Sequence, residues 1–197
     1  MELPIYELKI RETEKDAAEV SFIALVDTPA IKRDFLAFKD EFADVVKFEI
    51  TNEEQHIITG PLMIPDQLIY RKSDKFGEHY VKFSADTIKA IAIKFSKKGY
   101  QKNVNLMHDD KMQVDGFTMF ESFISNDQRG VKPMAAFADL PNGTWFGSFY
   151  VENPEVWDLI KTKMVKGFSV EGLFDYEKPA SKDEQLLAEL TAIFAKL

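Results

Sequence analysis

Glu19-Val20-Ser21-Phe22-Ile23-Ala24-Leu25-Val26 is a run of apolar and β-branched residues closed by Asp27-Thr28-Pro29. Such a run, short and ended by turn formers, reads as a buried β-strand. Asp starts turns, and the residue before a proline avoids the helical region. Upstream, Ile5-Tyr6-Glu7-Leu8-Lys9-Ile10 alternates with period two. Downstream, residues 32–39 and 45–51 read as strands around an acidic turn at 40–44. Residues 55–64 read as a strand bent or bulged at Gly60-Pro61. A helix starts at Ser84 as N-cap. Its apolar stripe is Ile88, Ile91, Ala92 and Phe95, with Lys94, Lys97 and Lys98 near the end and Gly99 as the stop.

The second half repeats this economy. Val104-Asn105-Leu106-Met107 is a short strand that ends at His108, followed by a polar turn over 109–115. Residues 117–124 form a strand whose only acid is Glu121. Pro141-Asn142-Gly143 is a turn, and residues 144–151 are an aromatic strand. Asn153 caps a helix with Pro154 at its first position; Val156, Trp157, Ile160 and Met164 line one side, and Gly167 ends it. The last strand covers 168–176. Residues 179–183 are a linker, and 184–197 form an amphipathic helix whose apolar face needs a dock. The expected fold is α+β or mainly β: an antiparallel, barrel-like sheet with two or three flanking helices and a C-terminal amphipathic helix. The expected domains are a body over 1–178 and an appendage over 179–197.

Composition narrows the function. The chain has 197 residues, 45% hydrophobic and 29% charged, which suits a globular body. A formal net charge of −8 disfavours nucleic acid as a partner. The lack of cysteine excludes disulfides, thiolate metal sites and a cysteine nucleophile. No apolar run reaches the roughly 18 residues that span a bilayer, so no membrane partner is expected. The charged N-terminus is unlike a signal peptide, so the chain is expected to stay where it is made.

Of three histidines, His56 and His79 stand among charged residues and read as surface or edge positions. His108 ends an apolar strand beside Asp109 and Asp110, where a scaffold can present a reactive side chain. Consecutive side chains converge poorly on one ion, and no Glu-x-x-His pattern occurs, so neither metal nor cofactor is expected. Ser169 lies in Lys166-Gly167-Phe168-Ser169-Val170-Glu171-Gly172. Strand alternation puts Ser169 and Glu171 on one face, with Phe168 and Val170 on the other. That face is either a solvated edge or the seat of a nucleophile whose flanking glycines admit a substrate backbone. No Gly-x-Ser-x-Gly elbow or phosphate loop is present.

These segments form an ordered set. The blocks are Leu25-Val26-Asp27-Thr28-Pro29-Ala30-Ile31, then Gly60-Pro61-Leu62-Met63-Ile64-Pro65 with Ile69-Tyr70-Arg71, then Asn105-Leu106-Met107-His108-Asp109. Glu121-Ser122-Phe123-Ile124, Gly143-Thr144-Trp145, and Val156-Trp157 with the 166–172 segment complete it. In this order they resemble the XkdF-type phage serine proteases, relatives of the prohead maturation proteases. The resemblance implies an assemblin-like β-barrel inside the procapsid, in the host cytoplasm, that cuts scaffold and major capsid proteins and often itself. Carried over, it makes Ser169 the nucleophile and His108 the general base. The second histidine of the herpesvirus relatives has no counterpart after Ser169, and the acid that precedes a Val-Ser-Leu-Val-like block in other prohead proteases aligns with Phe22. Glu171 and Glu121 remain as third members, with Glu171 preferred; a Ser–His dyad is the alternative. Leu187-Ala188-Glu189 resembles an apolar-x-Glu self-cleavage site, against the plainer reading of a docking helix with a surface Glu; that helix could dock on its own body, on scaffold, or on an identical subunit to make a homo-oligomer. The competing function is a non-catalytic head or assembly protein that keeps the same scaffold.

Overall fold

In a computed structural model the described residues are 3–10, 18–27, 48–53, 55–109 and 111–178. Among the described residues, eleven strands run in chain order: β1 (Ile5–Lys9), β2 (Val20–Val26), β3 (Glu49–Asn52), β4 (Ile57–Met63), β5 (Ile69–Ser73), β6 (Gly77–Lys82), β7 (Val104–Leu106), β8 (Phe117–Ile124), β9 (Trp145–Val151), β10 (Gly167–Gly172) and β11 (Asp175–Glu177). Two α-helices among the described residues, α1 (Ala85–Lys98) and α2 (Pro154–Lys161), interrupt them. The expected strand at 32–39 and the C-terminal helix with its Leu187-Ala188-Glu189 segment lie outside the described residues.

The strands form three sheets, ordered β11-β1-β6-β5, β10-β2-β7 and β3-β4-β9-β8. The mainly β, α+β class holds. None of the sheets closes on itself among the described residues. One part of the expectation is corrected: β1 pairs β6, and β2 pairs β7, in parallel. Parallel neighbours need a long crossover rather than a hairpin, so local sequence signals do not mark them. The strand expected over 168–176 is also two strands. The chain leaves the β2 sheet after Gly172 and re-enters beside β1 as β11.

Local signals were otherwise decisive. The Ser84 hydroxyl accepts from the Thr87 amide, and Gly99 stops α1 in the left-handed conformation at φ 74°. Ile88, Ile91 and Phe95 are buried, and Phe95 meets Trp145 edge-on at 5.5 Å. Lys94 does not extend into solvent. It is buried, donates to the Ala18 carbonyl at 3.1 Å and lies 3.7 Å from Glu19. The bend at Gly60-Pro61 is a register shift between Pro61 and Met63 in the β4–β9 pairing. Helix α2 ends at Lys161, short of Gly167, because Lys163 adopts φ 58° and the Met164 amide turns back to the Leu159 carbonyl. Met164 is therefore exposed rather than part of the apolar side.

Phe168 ties two of the sheets together. Its ring packs 5.2 Å from Phe48 and 4.7 Å from Phe149, so β10 is pinned against the β3-β4-β9-β8 sheet. Burying such a ring contributes on the order of 2–3 kcal/mol. At the far end of β10, Gly172 sits at a register shift. A Cβ there would lie 2.1 Å from the Glu19 carbonyl oxygen. The glycine thus admits the neighbouring strand of this protein, rather than a substrate as its sequence context suggested.

Two outcomes are expected from this packing. Gly172→Ala forces backbone apart and should lower stability by about 2 kcal/mol or more, read as a reduced urea midpoint. Tyr100 donates its hydroxyl to Glu19 at 2.8 Å, and that bond holds the phenol above the ordinary tyrosine value of 10.0. Because the folded value is raised, the stabilisation is complete below the unfolded value and is lost as pH climbs through the folded one. Ultraviolet titration should show Tyr100 and Tyr70 ionising late, and Tyr100→Phe should remove one of the two late steps.

Candidate active site

The loop after β7 presents His108 through an unusual backbone. Met107 and His108 both have positive φ, at 53° and 60°. Two consecutive non-glycine residues in the left-handed region cost energy, and such strain collects at functional sites. Hydrogen bonds hold the loop in this state. The Met107 amide donates to the Leu25 carbonyl at 2.9 Å, the Asp109 amide to Leu106 at 3.0 Å, and the Leu106 amide to Met112 at 3.0 Å. The Asp109 carboxylate accepts the Lys111 amide at 2.9 Å. The imidazole is thereby folded back over the β10-β2-β7 sheet.

There it meets Glu171. His108 Nδ1 lies 3.0 Å from Glu171 Oε1, with the two side chains 43% and 21% exposed. A carboxylate oxygen can only accept here, so Nδ1 carries the proton. In the neutral ring that tautomer leaves Nε2 with its lone pair free. The same Glu171 oxygen accepts a second hydrogen bond from Asn105 Nδ2 at 2.7 Å.

Ser169 is on the same face of β10 and is almost wholly buried at 4% exposure. Its partner across the ladder is Ala24, and Ala24 in turn opposes Asn105. Ser169, His108 and Glu171 line one cleft of about 580 Å³. Its other wall comes from Leu8, Ile69, Arg71 and Tyr176 of the β11-β1-β6-β5 sheet. Among the described residues no hydrogen bond joins the Ser169 hydroxyl to the His108 ring; they share the cleft. A catalytic hydrogen bond is often long until substrate arrives.

The other expected acid is elsewhere. Glu121 is exposed on β8, past a register shift between Met119 and Glu121, and does not line this cleft. The remaining histidines differ from their surface reading. His79 is wholly buried among Tyr6, Phe76 and Tyr176. His56 is half-buried and stacks on Trp157 at 4.5 Å. Each packs into the body, and neither lines this cleft. Among the described residues no three histidine, aspartate or glutamate side chains gather as a metal site would require.

Asn105 and Arg71 are the cleft-side residues that sequence reasoning passed over. Asn105 left a signal: it is a polar residue in an apolar strand, and a buried amide must find a partner.

The model of the family described as "Putative phage serine protease XkdF" matches residues 44–177. The chain belongs to that family. The XkdF span includes β7, the His108 loop and β10, so the whole cleft triplet lies within it. Of the blocks noted in the sequence, only Leu25 to Ile31 precedes the match. No curated protein and no solved structure matches the chain.

The contact from His108 to Glu171 makes a spectroscopic prediction. Nitrogen-15 spectra recorded with the imidazole neutral should place the His108 ring proton on Nδ1. Glu171→Ala should shift it substantially to Nε2; an unchanged tautomer would mean the carboxylate does not hold the ring.

Proposed function

We propose that this XkdF-family protein is a serine endopeptidase of a tailed phage, acting on scaffold and capsid proteins as the prohead matures. The observation that carries the proposal is the convergence of Ser169, His108 and Glu171 on one cleft, with His108 Nδ1 3.0 Å from the Glu171 carboxylate. In this reading Glu171, rather than Glu121, is the acid of a Ser–His–Glu set. The rest of the expected setting follows as part of the same proposal. The three sheets belong to an assemblin-like barrel over residues 1–178, the 179–197 appendage docks on a second copy, and the enzyme works inside the procapsid.

The chemistry is acyl transfer. A peptide enters the cleft, and its scissile carbonyl is set against the Ser169 hydroxyl. His108 Nε2 takes the hydroxyl proton as Oγ attacks the carbonyl carbon. Glu171 keeps the ring oriented and offsets the charge of the imidazolium. Backbone amides of the 167–172 edge strand stabilise the oxyanion, each such donor contributing about 3 kcal/mol. The imidazolium then gives its proton to the leaving amine, the C–N bond breaks, and an acyl-Ser169 ester remains. Water, deprotonated by the same nitrogen, hydrolyses the ester and restores the hydroxyl.

One observation favours a second reading, a non-catalytic head or assembly protein: the Ser169 hydroxyl and the His108 ring are not hydrogen-bonded in the free protein. Labelling with a fluorophosphonate separates the two. Wild type should be modified at Ser169, Ser169→Ala should not react, and His108→Ala should react on the order of 100-fold more slowly or worse. Adding procapsids built with scaffold should show cleavage by wild type alone. A wild-type protein that neither labels nor cuts would leave the assembly role.

A further inference from the structure

Glu171 Oε1 is shared by two donors of different kinds. One is the His108 ring, partly open to solvent; the other is the amide of Asn105, at 0% exposure. Asn105 occupies a place that an apolar residue would fill more comfortably. Its neighbours in β7, Val104 and Leu106, pack into the hydrophobic core. An asparagine kept in a buried strand for structure alone would be expected to use both ends of its amide. Here the Oδ1 end has no hydrogen-bond partner among the described residues. Leaving a buried acceptor unpaired costs stability. The amide cannot relieve this by turning over, because its carbonyl oxygen would then face the carboxylate.

The sheet is also shaped for this reach. Asn105 and Ser169 lie on either side of Ala24 in one cross-strand row, and Glu171 is on the same face as Ser169. Residues two strands apart are about 9–10 Å apart, too far for direct contact between short side chains. Ala24, at 0% exposure, keeps the intervening position low, so Glu171 and Asn105 can meet above it.

We propose that Asn105 is a positioning residue of the cleft: its amide fixes the Glu171 carboxylate, which in turn fixes His108. The assignment rests on the serine-protease reading given above. Asn105 touches neither substrate nor the reacting atoms and acts only through Glu171. With the donor removed, the carboxylate can rotate away, and the imidazole loses both its tautomer and its aim.

The test measures fluorophosphonate labelling of Ser169 and the His108 tautomer by nitrogen-15 spectroscopy on the full chain. Asn105→Leu should slow labelling about 10- to 100-fold, the range seen when a partner behind a directly acting group is lost. It should also move His108 proton density from Nδ1 to Nε2. In a Glu171→Gln background the same change should alter the rate by less than about twofold, because the two residues act in series. Asn105→Ala removes the donor without adding bulk, and it serves if the leucine variant does not fold. It too should slow labelling and shift the tautomer. Either variant, folded, with wild-type rate and tautomer overturns the proposal. So does an equal loss of rate in the Glu171→Gln background. A wild-type protein that is not labelled at Ser169 removes the serine-protease reading, and this inference with it. Brisk labelling of wild type and of the Asn105 variants alike removes the inference alone.

Discussion

The burial of Phe168 against Phe48 and Phe149 sets the register of β10, and the cleft depends on that register. A strand alternates its side chains, so a ring driven into the core at 168 turns 169 and 171 to the opposite face. A slip of one residue would turn Ser169 into the aromatic core and Phe168 out of it, at a cost the core does not tolerate. The antiparallel ladder with β2 carries the same register to Ala24, and the parallel ladder carries it on to Asn105. One buried ring thereby aligns groups drawn from three strands.

The histidine is delivered differently. It belongs to a loop, and its position comes from a strained backbone tied by hydrogen bonds to Leu25, Leu106 and Met112. The hydroxyl and carboxylate therefore sit on a stiff platform, while the ring is brought to them by a segment that stores strain. Both meet at the seam between two sheets, where β10 turns away to become β11 and leaves room beside Leu8, Ile69 and Tyr176.

Much of this was legible in the sequence. The alternation of 168–171 gave the shared face of Ser169 and Glu171, the Ser84 and Gly99 caps bounded α1, and the end of an apolar strand marked His108. What escaped reading was nonlocal. Parallel pairing of β2 with β7 joins segments about eighty residues apart and leaves no periodic trace. His79 stands among charged residues in the chain, but alternation along β6 turns it inward to an aromatic cluster. Glu121 is the lone acid of its strand, yet a register shift presents it to solvent. Asn105 was visible as an anomaly, but its partner lies 66 positions away and no short-range rule joins them.

The left-handed pair at Met107 and His108 has a bearing on how such a protein can change over generations. Glycine would relax both positions at little steric expense, whereas every other residue type pays for the conformation. A lineage chosen purely for endurance to heat would be pulled toward glycine there, and would surrender its imidazole in the process. A bulky thioether and a ring at those two places hold the loop in a conformation that costs the fold stability and presents the imidazole in return.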